Sequence, residues 1–278
     1  MRLITELADV HARLTRLLIR HAPTGRRGRA RAARSLRGLG FGLPAGHRVQ
    51  ASRTTRAPSD GQSVRVSSST SSILAEQLAY YRAIANEYED HRIDVPGQDE
   101  LLAAIDAFRP TGDVLELACG SGTWTQHLVR SAKTVTALDA APEMLARAKA
   151  RDGVASVRFI EADLFSWRPD RGYDAVFFGF WLSHVPEEHF DSFWSLVDDC
   201  LRPGGVVFFF DDNYRTEAEL IQGTSSSIVE RRINDGTPFR IIKVPFQAEG
   251  LERRLRAMGW NIAVTPTAGP FYWGMGGR

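Results

Sequence analysis

The sequence predicts an α/β protein with a doubly wound sheet, and three observations indicate this fold class. From residue 73 onwards, short strand-like runs alternate with helical stretches, which is typical of parallel strands joined by helical crossovers. Two of the runs, Ala175–Phe180 and Val206–Phe210, are almost continuously apolar, as expected for strands covered on both faces. The first strand leads through glycines into a helix, within Val114–Leu128, so the backbone there can approach a ligand closely.

The elements can be assigned in chain order. The predicted helices cover residues 73–90, 98–108, 122–131, 142–150, 187–201 and 247–258. The predicted strands cover Asp113–Leu117, Thr134–Leu138, Val157–Glu161, Ala175–Phe180 and Val206–Phe210. Residues 227–246 have the pattern of a hairpin whose turn is Asn234-Asp235-Gly236.

The net charge of +2 conceals two oppositely charged parts. Residues 1–70 contain 14 Arg, no Lys and three acidic residues, and so carry +11. Residues 71–278 hold the other 21 basic and 30 acidic residues, and so carry −9. We therefore predict an Arg-rich, disordered extension over residues 1–70 and one domain over residues 71–278.

Four interpretations of this extension remain open. Its Arg/Gly/Ala-rich and Ser/Thr-rich stretches have too little apolar surface to offset chain entropy, which predicts disorder. Its composition also matches a targeting segment, or a segment that binds nucleic acid or an anionic membrane surface. A spurious upstream reading frame of a GC-rich gene is the fourth interpretation, because such frames translate as Arg/Ala-rich sequence.

Composition also excludes several classes of protein. No window approaches 18 consecutive apolar residues, so no membrane span is expected. No secretory signal peptide is visible, so a cytoplasmic location is expected unless the Arg-rich extension is a targeting segment. The two cysteines, Cys119 and Cys200, cannot form a disulfide framework or a four-thiolate zinc site. No cluster of His, Cys and carboxylate residues has metal-ligand spacing, so we predict no metal.

The most informative segment is the glycine loop after the first strand. Gly120 and Gly122 allow a tight turn and close approach of the backbone to a ligand. A dinucleotide site would have a third glycine where this chain has Thr125. The strand also carries Glu116, whose carboxylate would repel a pyrophosphate and favour a cationic ligand. A Gly-x-Gly loop by itself is weak support for any one function.

Together with four later motifs, the loop resembles the class I S-adenosylmethionine (SAM)-dependent methyltransferases, over about residues 75–278. ELACGSG, ending at Gly122, is similar to the first motif of that family, and Asp139 in TALDAAPEML to its acidic residue for the ribose hydroxyls. FIEADLFSW, YDAVFFGFWLSHVP and LRPGGVVFFFDD resemble its third to fifth strands. The resemblance implies a Rossmann-like, seven-stranded sheet with helices on both faces. Its last strands, within Asn261–Pro266 and Pro270–Trp273, would be antiparallel.

The resemblance also implies which residues bind SAM. The helix with Tyr88 and Arg92 is similar to one that many small-molecule members place over the methionine end, where Arg92 would pair with the carboxylate. Packing of an amphipathic helix explains the Tyr spacing equally well. The cofactor-binding residues implied are Tyr88, Arg92, Glu116, Ala118, Gly120, Gly122, Asp139, Ala140, Met144, Asp163, Leu164, Phe178 and Gly179.

Candidate catalytic and acceptor residues lie mainly after the fourth and fifth strands. His184 is the candidate general base, because imidazole titrates near neutral pH; the alternative is that it only shapes the pocket. His189 has no obvious partner and is predicted on a solvated helix face. Aromatic and polar residues at this edge, on the first helix and in the C-terminal segment are the candidate acceptor-binding residues: Tyr81, Trp181, Ser183, Asp212 and Tyr272.

Three functions compete at this point. The leading one is a small-molecule methyltransferase that acts on oxygen or nitrogen, as a monomer or homodimer. A nucleic-acid methyltransferase helped by the Arg-rich extension is disfavoured, because the domain carries −9 and would repel a phosphate backbone. Residues 179–182, Gly-Phe-Trp-Leu, also lack the Asp/Asn-Pro-Pro-aromatic motif of base-amino methylators. The third candidate is a catalytically silent SAM-binding protein.

Overall fold

A computed structural model describes residues 61–88, 96–213, 219–221 and 227–278, with side chains from Thr70 onwards. Residues 1–60 of the predicted extension lie outside the described part. Its last ten positions belong to the first helix, which begins at Gly61. Arg92, which the resemblance places at the methionine end of the cofactor, also lies outside the described residues.

In the described chain, helices and strands alternate over residues 98–161, as predicted. The strand that ends at residue 161 is followed by another strand, and the one that ends at residue 212 by two more. The helices are α1 (Gly61–Ile84), α2 (Gln98–Ala107), α3 (Thr125–Leu128), α4 (Pro142–Lys149), α5 (Phe190–Cys200) and α6 (Ala248–Ala257). The strands are β1 (Asp113–Glu116), β2 (Thr134–Asp139), β3 (Arg158–Glu161), β4 (Tyr173–Gly179), β5 (Leu201–Asp212), β6 (Ile228–Arg232), β7 (Pro238–Ile242), β8 (Asn261–Pro266) and β9 (Phe271–Gly277). Two 3₁₀ turns, Leu182–His184 and Glu187–His189, precede α5.

Seven strands form one sheet in the order β3-β2-β1-β4-β5-β9-β8. Neighbours from β3 to β5 pair in parallel, whereas β9 pairs antiparallel with both β5 and β8. The chain changes direction across the sheet between β1 and β4, so a crevice opens at the carboxyl ends of these two strands. The predicted Rossmann-like α/β sheet with antiparallel last strands is confirmed.

The apolar runs of the central strands bury alternate residues on opposite faces of the sheet. Phe209 packs on one face against Trp194 of α5, with 5.5 Å between ring centroids. Phe208 packs on the other face against Phe108 at the end of α2, with centroids 4.5 Å apart. Both Phe residues of β5 have no exposed surface, since helices cover both faces.

A smaller sheet of β6 and β7 lies with α1 beside the carboxyl edge of the main sheet. Glu76 of α1 forms a 2.7 Å ion pair with Arg240 of β7. The buried Gln77 donates to the backbone carbonyl of His184 at 3.2 Å and accepts from the backbone amide of Ile242 at 3.0 Å. These contacts fix α1 to both β7 and the segment after β4, and so hold it at the mouth of the crevice.

Several element boundaries differ from the prediction, two of them by five residues or more at the start of the element. α1 begins at Gly61, twelve residues before the predicted start at residue 73. β5 begins at Leu201, five residues before the predicted Val206, because Leu201 pairs with Tyr173 ahead of a register shift. No helix in the described ranges is both long enough and apolar enough to cross a bilayer.

Candidate functional site

A cavity of about 540 Å³ lies at the carboxyl edge of the main sheet, between α1 and the loops after β1, β2 and β4. Its volume falls in the range of small-molecule sites. The predicted site residues that line it are Tyr81, Tyr88, Ala118, Gly120, Asp139, Ala140, Met144, Asp163, Leu164, Gly179 and Trp181. The fold therefore brings together motifs that are far apart in sequence.

The two glycines of the first loop have different functions in the structure. Both have positive φ values, 55° at Gly120 and 78° at Gly122, which glycine adopts without strain. A Cβ at Gly120 would meet no atom within 4 Å, whereas a Cβ at Gly122 would lie 2.8 Å from Cβ of Ala148. Gly120 thus leaves the cavity open, and Gly122 permits close packing on α4. Because of this turn, α3 begins at Thr125, three residues after its predicted start at residue 122.

Asp139 ends β2 and borders the cavity with a carboxylate that the backbone holds in place. Its Oδ2 accepts from the Gly120 amide, and its Oδ1 from the Ala141 amide, both at 2.8 Å. Burial raises the pKa of Asp139, and these backbone N–H groups act in the opposite direction. Each oxygen keeps a further lone pair, so the carboxylate can accept two ligand hydroxyl groups.

Glu116 ends β1 but lies behind the cavity wall. Its side chain is 1% exposed, and its Oε2 accepts a 2.6 Å hydrogen bond from Oγ1 of Thr125. Burial raises the pKa of Glu116 to about 8, so the carboxyl is largely protonated at neutral pH. A contact with a ligand through this side chain is therefore not supported; Glu116 instead supports the glycine loop through its hydrogen bond to Thr125.

Two non-glycine residues that line the cavity have left-handed backbone conformations. Ala118 has a φ of 52° and Phe180 a φ of 56°. Such strain is concentrated at ligand sites, where the surrounding structure enforces it. The Phe180 amide donates to the Phe210 carbonyl at 2.9 Å, and a Cβ on the preceding Gly179 would lie 2.3 Å from the Phe210 ring. The turn directs the chain so that Trp181 lines the cavity.

His184, the candidate base, is buried behind the cavity and does not line it. Its Nδ1 is 2.6 Å from the carbonyl oxygen of Ile242, and its Nε2 is 3.0 Å from the hydroxyl of Tyr81. Burial, together with the charges of Lys243 and Arg231, lowers the pKa of His184 well below its usual range. Tyr81 lines the cavity and His184 does not, so His184 would act on an acceptor through Tyr81.

Ser183 and Asp212, predicted to bind the acceptor, take part in a buried polar network instead of lining the cavity. Ser183 Oγ donates to Asp211 at 2.8 Å and accepts from Lys243 Nζ at 3.1 Å. Lys243 is 2% exposed, and its Nζ also lies 2.9 Å from Asp212 and 3.6 Å from Asp211. The network joins the ends of β4 and β5 to the segment after β7. The buried ammonium of Lys243 offsets only one of the two carboxylate charges, and burial raises the pKa of Asp211.

Phe178 and Tyr272 also lie away from the cavity. Strand alternation directs Phe178 toward α5, where it is fully buried and stacks on Phe209 at 5.1 Å. Tyr272 pairs with Asp211 in the β5–β9 ladder and is 2% exposed. These two predicted site residues support the wall of the site from within the core.

Sequence reasoning missed several residues that line the cavity. His189 was predicted on a solvated face, but it borders the cavity, and its ring lies 5.1 Å from that of Phe165. That prediction was wrong because the chain forms a 3₁₀ turn before α5, which changes the direction of the side chain. Leu74 and Leu78 of α1 also line the cavity. With Tyr81 they have the i, i+4, i+7 spacing of one helix face, a signal that was available in the sequence.

A family model matches the central part of the chain. Residues 114–205 match a family described as a methyltransferase domain. Trans-aconitate 2-methyltransferase of Escherichia coli O157:H7 strain EC4115 is 34% identical over 110 residues, which are 39% of this chain and 42% of that enzyme. The chain thus aligns with less than half the length of the curated relatives it matches.

Solved structures give a more complete match. DhpI in complex with SAM and HEP is 42% identical, with a TM-score of 0.65, and the alignment covers 73% of this chain and 96% of DhpI. The chain belongs to the class I SAM-dependent methyltransferases. The complex of DhpI with SAH gives a TM-score of 0.63 at the same identity. A methyltransferase from Clostridium acetobutylicum, 16% identical with a TM-score of 0.53, shares the fold.

The residues present fit the cofactor of this methyltransferase family, which is SAM as predicted. The open backbone at Gly120 leaves room for a ligand, and Asp139 offers two free acceptor positions for a diol. Asp139 and Asp163 are the acidic residues at the cavity and suit a cationic sulfonium ligand. Within the described ranges, no group of three or more His, Cys, Asp or Glu residues is arranged to hold a metal ion.

Proposed function

We propose that this chain transfers the methyl group of SAM to an oxygen or nitrogen atom of a small molecule. The observation that carries the proposal is one cavity beside α1 that is lined by nine of the thirteen predicted cofactor residues together with Tyr81 and Trp181. Cofactor and acceptor would therefore share one enclosed space, as an in-line displacement requires.

The predicted cofactor-binding residues would contact different parts of SAM, according to where they lie around the cavity. Asp139 would accept the ribose hydroxyls, with Ala140 and Met144 beside it, and Asp163 and Leu164 would border the adenine. Ala118, Gly120 and Gly179 would contact the cofactor along the loops after β1 and β4. Tyr88, and Arg92 outside the described residues, would hold the methionine end. Glu116, Gly122 and Phe178 would support these groups from behind the cavity wall.

The acceptor would occupy the end of the cavity between Tyr81 and Trp181. When bound, SAM would supply the methyl group; an oxygen or nitrogen atom of an acceptor held between Tyr81 and Trp181 would take it, leaving the thioether SAH, and a proton carried by the acceptor would pass to water. The chain contributes mainly alignment and exclusion of water, since α1, Tyr81 and Trp181 enclose the reacting groups. Ser183, Asp212 and Tyr272 would support this end of the cavity from the second layer.

A small acceptor is favoured over a nucleic acid for two reasons. α1 is fixed beside the crevice by Gln77 and by the Glu76–Arg240 ion pair, so it covers one side of a cavity of about 540 Å³, a volume that suits a small molecule. Residues 71–278 carry −9, a charge that repels phosphates. The relatives named after trans-aconitate make carboxylic acids worth including among the acceptors to be tested.

We also propose that residues 71–278 are the catalytic domain, and that most of the Arg-rich extension is dispensable for turnover. Deletion of residues 1–60, which leaves α1 complete from Gly61, should preserve turnover of a small acceptor. A loss of turnover with intact SAM binding would assign a catalytic contribution to the extension.

The test is a labelled-methyl screen with the full chain, SAM and a panel of alcohols, phenols, amines, carboxylic acids and RNA. We expect turnover of at least one small-molecule class and none of RNA. Turnover of RNA alone would replace the proposal with the nucleic-acid alternative. Binding of SAM without turnover of any acceptor would identify a silent SAM-binding protein.

A further inference from the structure

We infer that the hydroxyl oxygen of Tyr81 accepts a hydrogen bond from the molecule that is methylated and does not donate one. The reason is that the Tyr81 hydroxyl already donates its proton to Nε2 of His184. Tyr81 is then a specificity-determining residue, and His184 is a positioning residue that acts through it. The inference rests on the proposed function and narrows its substrate class. The acceptor group next to Tyr81 must carry its own proton, as a hydroxyl, an amine or an un-ionised acid does.

The direction of the hydrogen bonds follows from the carbonyl at one end. His184 Nδ1 lies 2.6 Å from the backbone oxygen of Ile242, and a carbonyl oxygen can only accept. Nδ1 therefore carries the proton. In a neutral imidazole the other nitrogen, Nε2, then has a lone pair and accepts. Tyr81 lies 3.0 Å from Nε2, so its O–H is the donor of that hydrogen bond.

The surroundings keep His184 neutral. It is 3% exposed, and the nearby cations Lys243 and Arg231 disfavour an imidazolium, so its pKa lies well below the usual range. The two rings are held edge to face, with centroids 5.7 Å apart and an interplanar angle of 83°. The side chain of Gln77 is hydrogen-bonded to the backbone of both His184 and Ile242. These bonds fix the Ile242 carbonyl, which accepts the Nδ1 proton, relative to the imidazole ring of His184.

The hydroxyl oxygen of Tyr81 can still accept a hydrogen bond from a ligand in the cavity. Burial raises the pKa of Tyr81 well above its usual value, so the group remains an un-ionised hydroxyl. Its one proton is directed to His184, and its lone pairs are free to accept from a ligand in the cavity that Tyr81 lines. A hydroxyl or amine against this oxygen would donate to it, whereas an ionised carboxylate would place lone pairs against lone pairs and would have to be held by Arg231, whose charge also acts on Tyr81.

The first test is independent of turnover. The full chain is labelled with ¹⁵N in its histidine rings, and the tautomer of His184 is read from the ring nitrogen–proton correlations at neutral pH. We expect a proton on Nδ1, none on Nε2, and a shift of the Nε2 signal in Tyr81→Phe, which also assigns the signal. A proton on Nε2 at neutral pH, in either the other tautomer or the imidazolium, would overturn the inference.

The second test compares acceptors that differ only in a hydroxyl or a carboxylate at the reacting position. The wild type should prefer the hydroxyl compound in kcat/KM, and Tyr81→Phe should lower that value about tenfold, the effect of one lost hydrogen bond. Tyr80→Phe is the matched control, since Tyr80 is buried beside Tyr81 but does not line the cavity.

The outcomes separate the two proposals. A preference for the carboxylate that Tyr81→Phe does not change would overturn the inference while leaving the methyltransferase function intact. If no acceptor is turned over, the proposed function fails, and the tautomer measurement decides the hydrogen-bond direction by itself. SAM affinity should be the same in the wild type, Tyr81→Phe and Tyr80→Phe, because the effect concerns the acceptor alone.

Discussion

The carboxyl of Glu116 accepts a 2.6 Å hydrogen bond from Oγ1 of Thr125, and this contact joins the end of β1 to the start of α3 beneath the glycine loop. The side chain of Glu116 is 1% exposed, and burial raises its pKa to about 8. An ionisable group thus supports the loop in a largely uncharged form at neutral pH. Stability should therefore depend on pH through this one residue.

The free energy of unfolding of Glu116→Gln, relative to that of the wild type, should increase as the pH rises. The folded-state pKa of about 8 lies above the ordinary value of 4.5, so the folded protein binds more protons than the unfolded chain between these limits. The Glu116 contribution to stability is therefore lost as the pH rises through this window. We expect the free energy of unfolding of Glu116→Gln, relative to wild type, to increase by about 2–4 kcal/mol between pH 5 and pH 9.

Urea unfolding of the two proteins without ligand, at a series of pH values, measures this difference. Glu249→Gln on α6 is the control, because the Glu249 side chain is 93% exposed. A difference for Glu116→Gln that is the same at pH 5 and pH 9 would show that Glu116 does not titrate in this range.

Gly120→Ala should impair SAM binding far more than Gly153→Ala, at a similar loss of stability. Both glycines have positive φ, 55° and 82°, and a Cβ at either would meet nothing within 4 Å. Each substitution should therefore destabilise by about 1–2 kcal/mol from backbone strain alone. Only Gly120 borders the cavity, so only its methyl group would occupy ligand space. Calorimetry measures affinity and urea unfolding measures stability; equal SAM affinities for the two variants would contradict the assignment of this loop.

Asp139→Ala should weaken SAM binding by about 10- to 100-fold, through the loss of charge-assisted hydrogen bonds to two hydroxyl groups. It also removes the acceptor of the Gly120 and Ala141 amides, so part of the loss would arise from the loop. Asp139→Asn removes the charge but keeps one acceptor oxygen, so only one of the two backbone hydrogen bonds is retained and the loss of SAM affinity should be smaller than for Asp139→Ala. The exposed Asp199→Ala should bind SAM as the wild type does. An unchanged affinity for Asp139→Ala would remove this residue from the proposed site.

Lys243→Met should destabilise the fold by about 3–5 kcal/mol, because it leaves Asp211 and Asp212 without their buried cation. Lys149→Met, at the exposed end of α4, should change stability by less than about 0.5 kcal/mol. Urea unfolding measures both. Combining Lys243→Met with Asp212→Asn should recover part of the loss; no recovery would indicate that Lys243 acts through packing alone.

The sequence predicted the parts of the site that local geometry determines. Gly120 and Asp139 occupy the turn after one strand and the end of the next, and parallel pairing brings those ends together at one sheet edge. Their contact could therefore be inferred from order and spacing. The cofactor came from the resemblance of five ordered motifs to the methyltransferase family; the charge expected at Glu116 does not support it, because burial leaves this carboxyl largely protonated at neutral pH.

Other parts of the site depend on contacts between distant segments, which spacing does not encode. Tyr81 meets His184 across 103 positions, and His184 meets Ile242 across 58. Only the docking of α1 and the β6–β7 hairpin shows that His184 is enclosed and that Tyr81 faces the cavity. His189 was misplaced for a related reason, since its direction depends on a 3₁₀ turn that helical periodicity does not reveal.

The most direct test of the central claim is a calorimetric titration of SAM into the wild-type full chain, repeated with Gly120→Ala. If the cavity beneath α1 is the cofactor site, SAM will bind with a stoichiometry of one per chain, and Gly120→Ala will lose most of that affinity while remaining folded. The absence of a binding isotherm for the folded wild-type protein, or SAM binding that Gly120→Ala leaves unchanged, would contradict it.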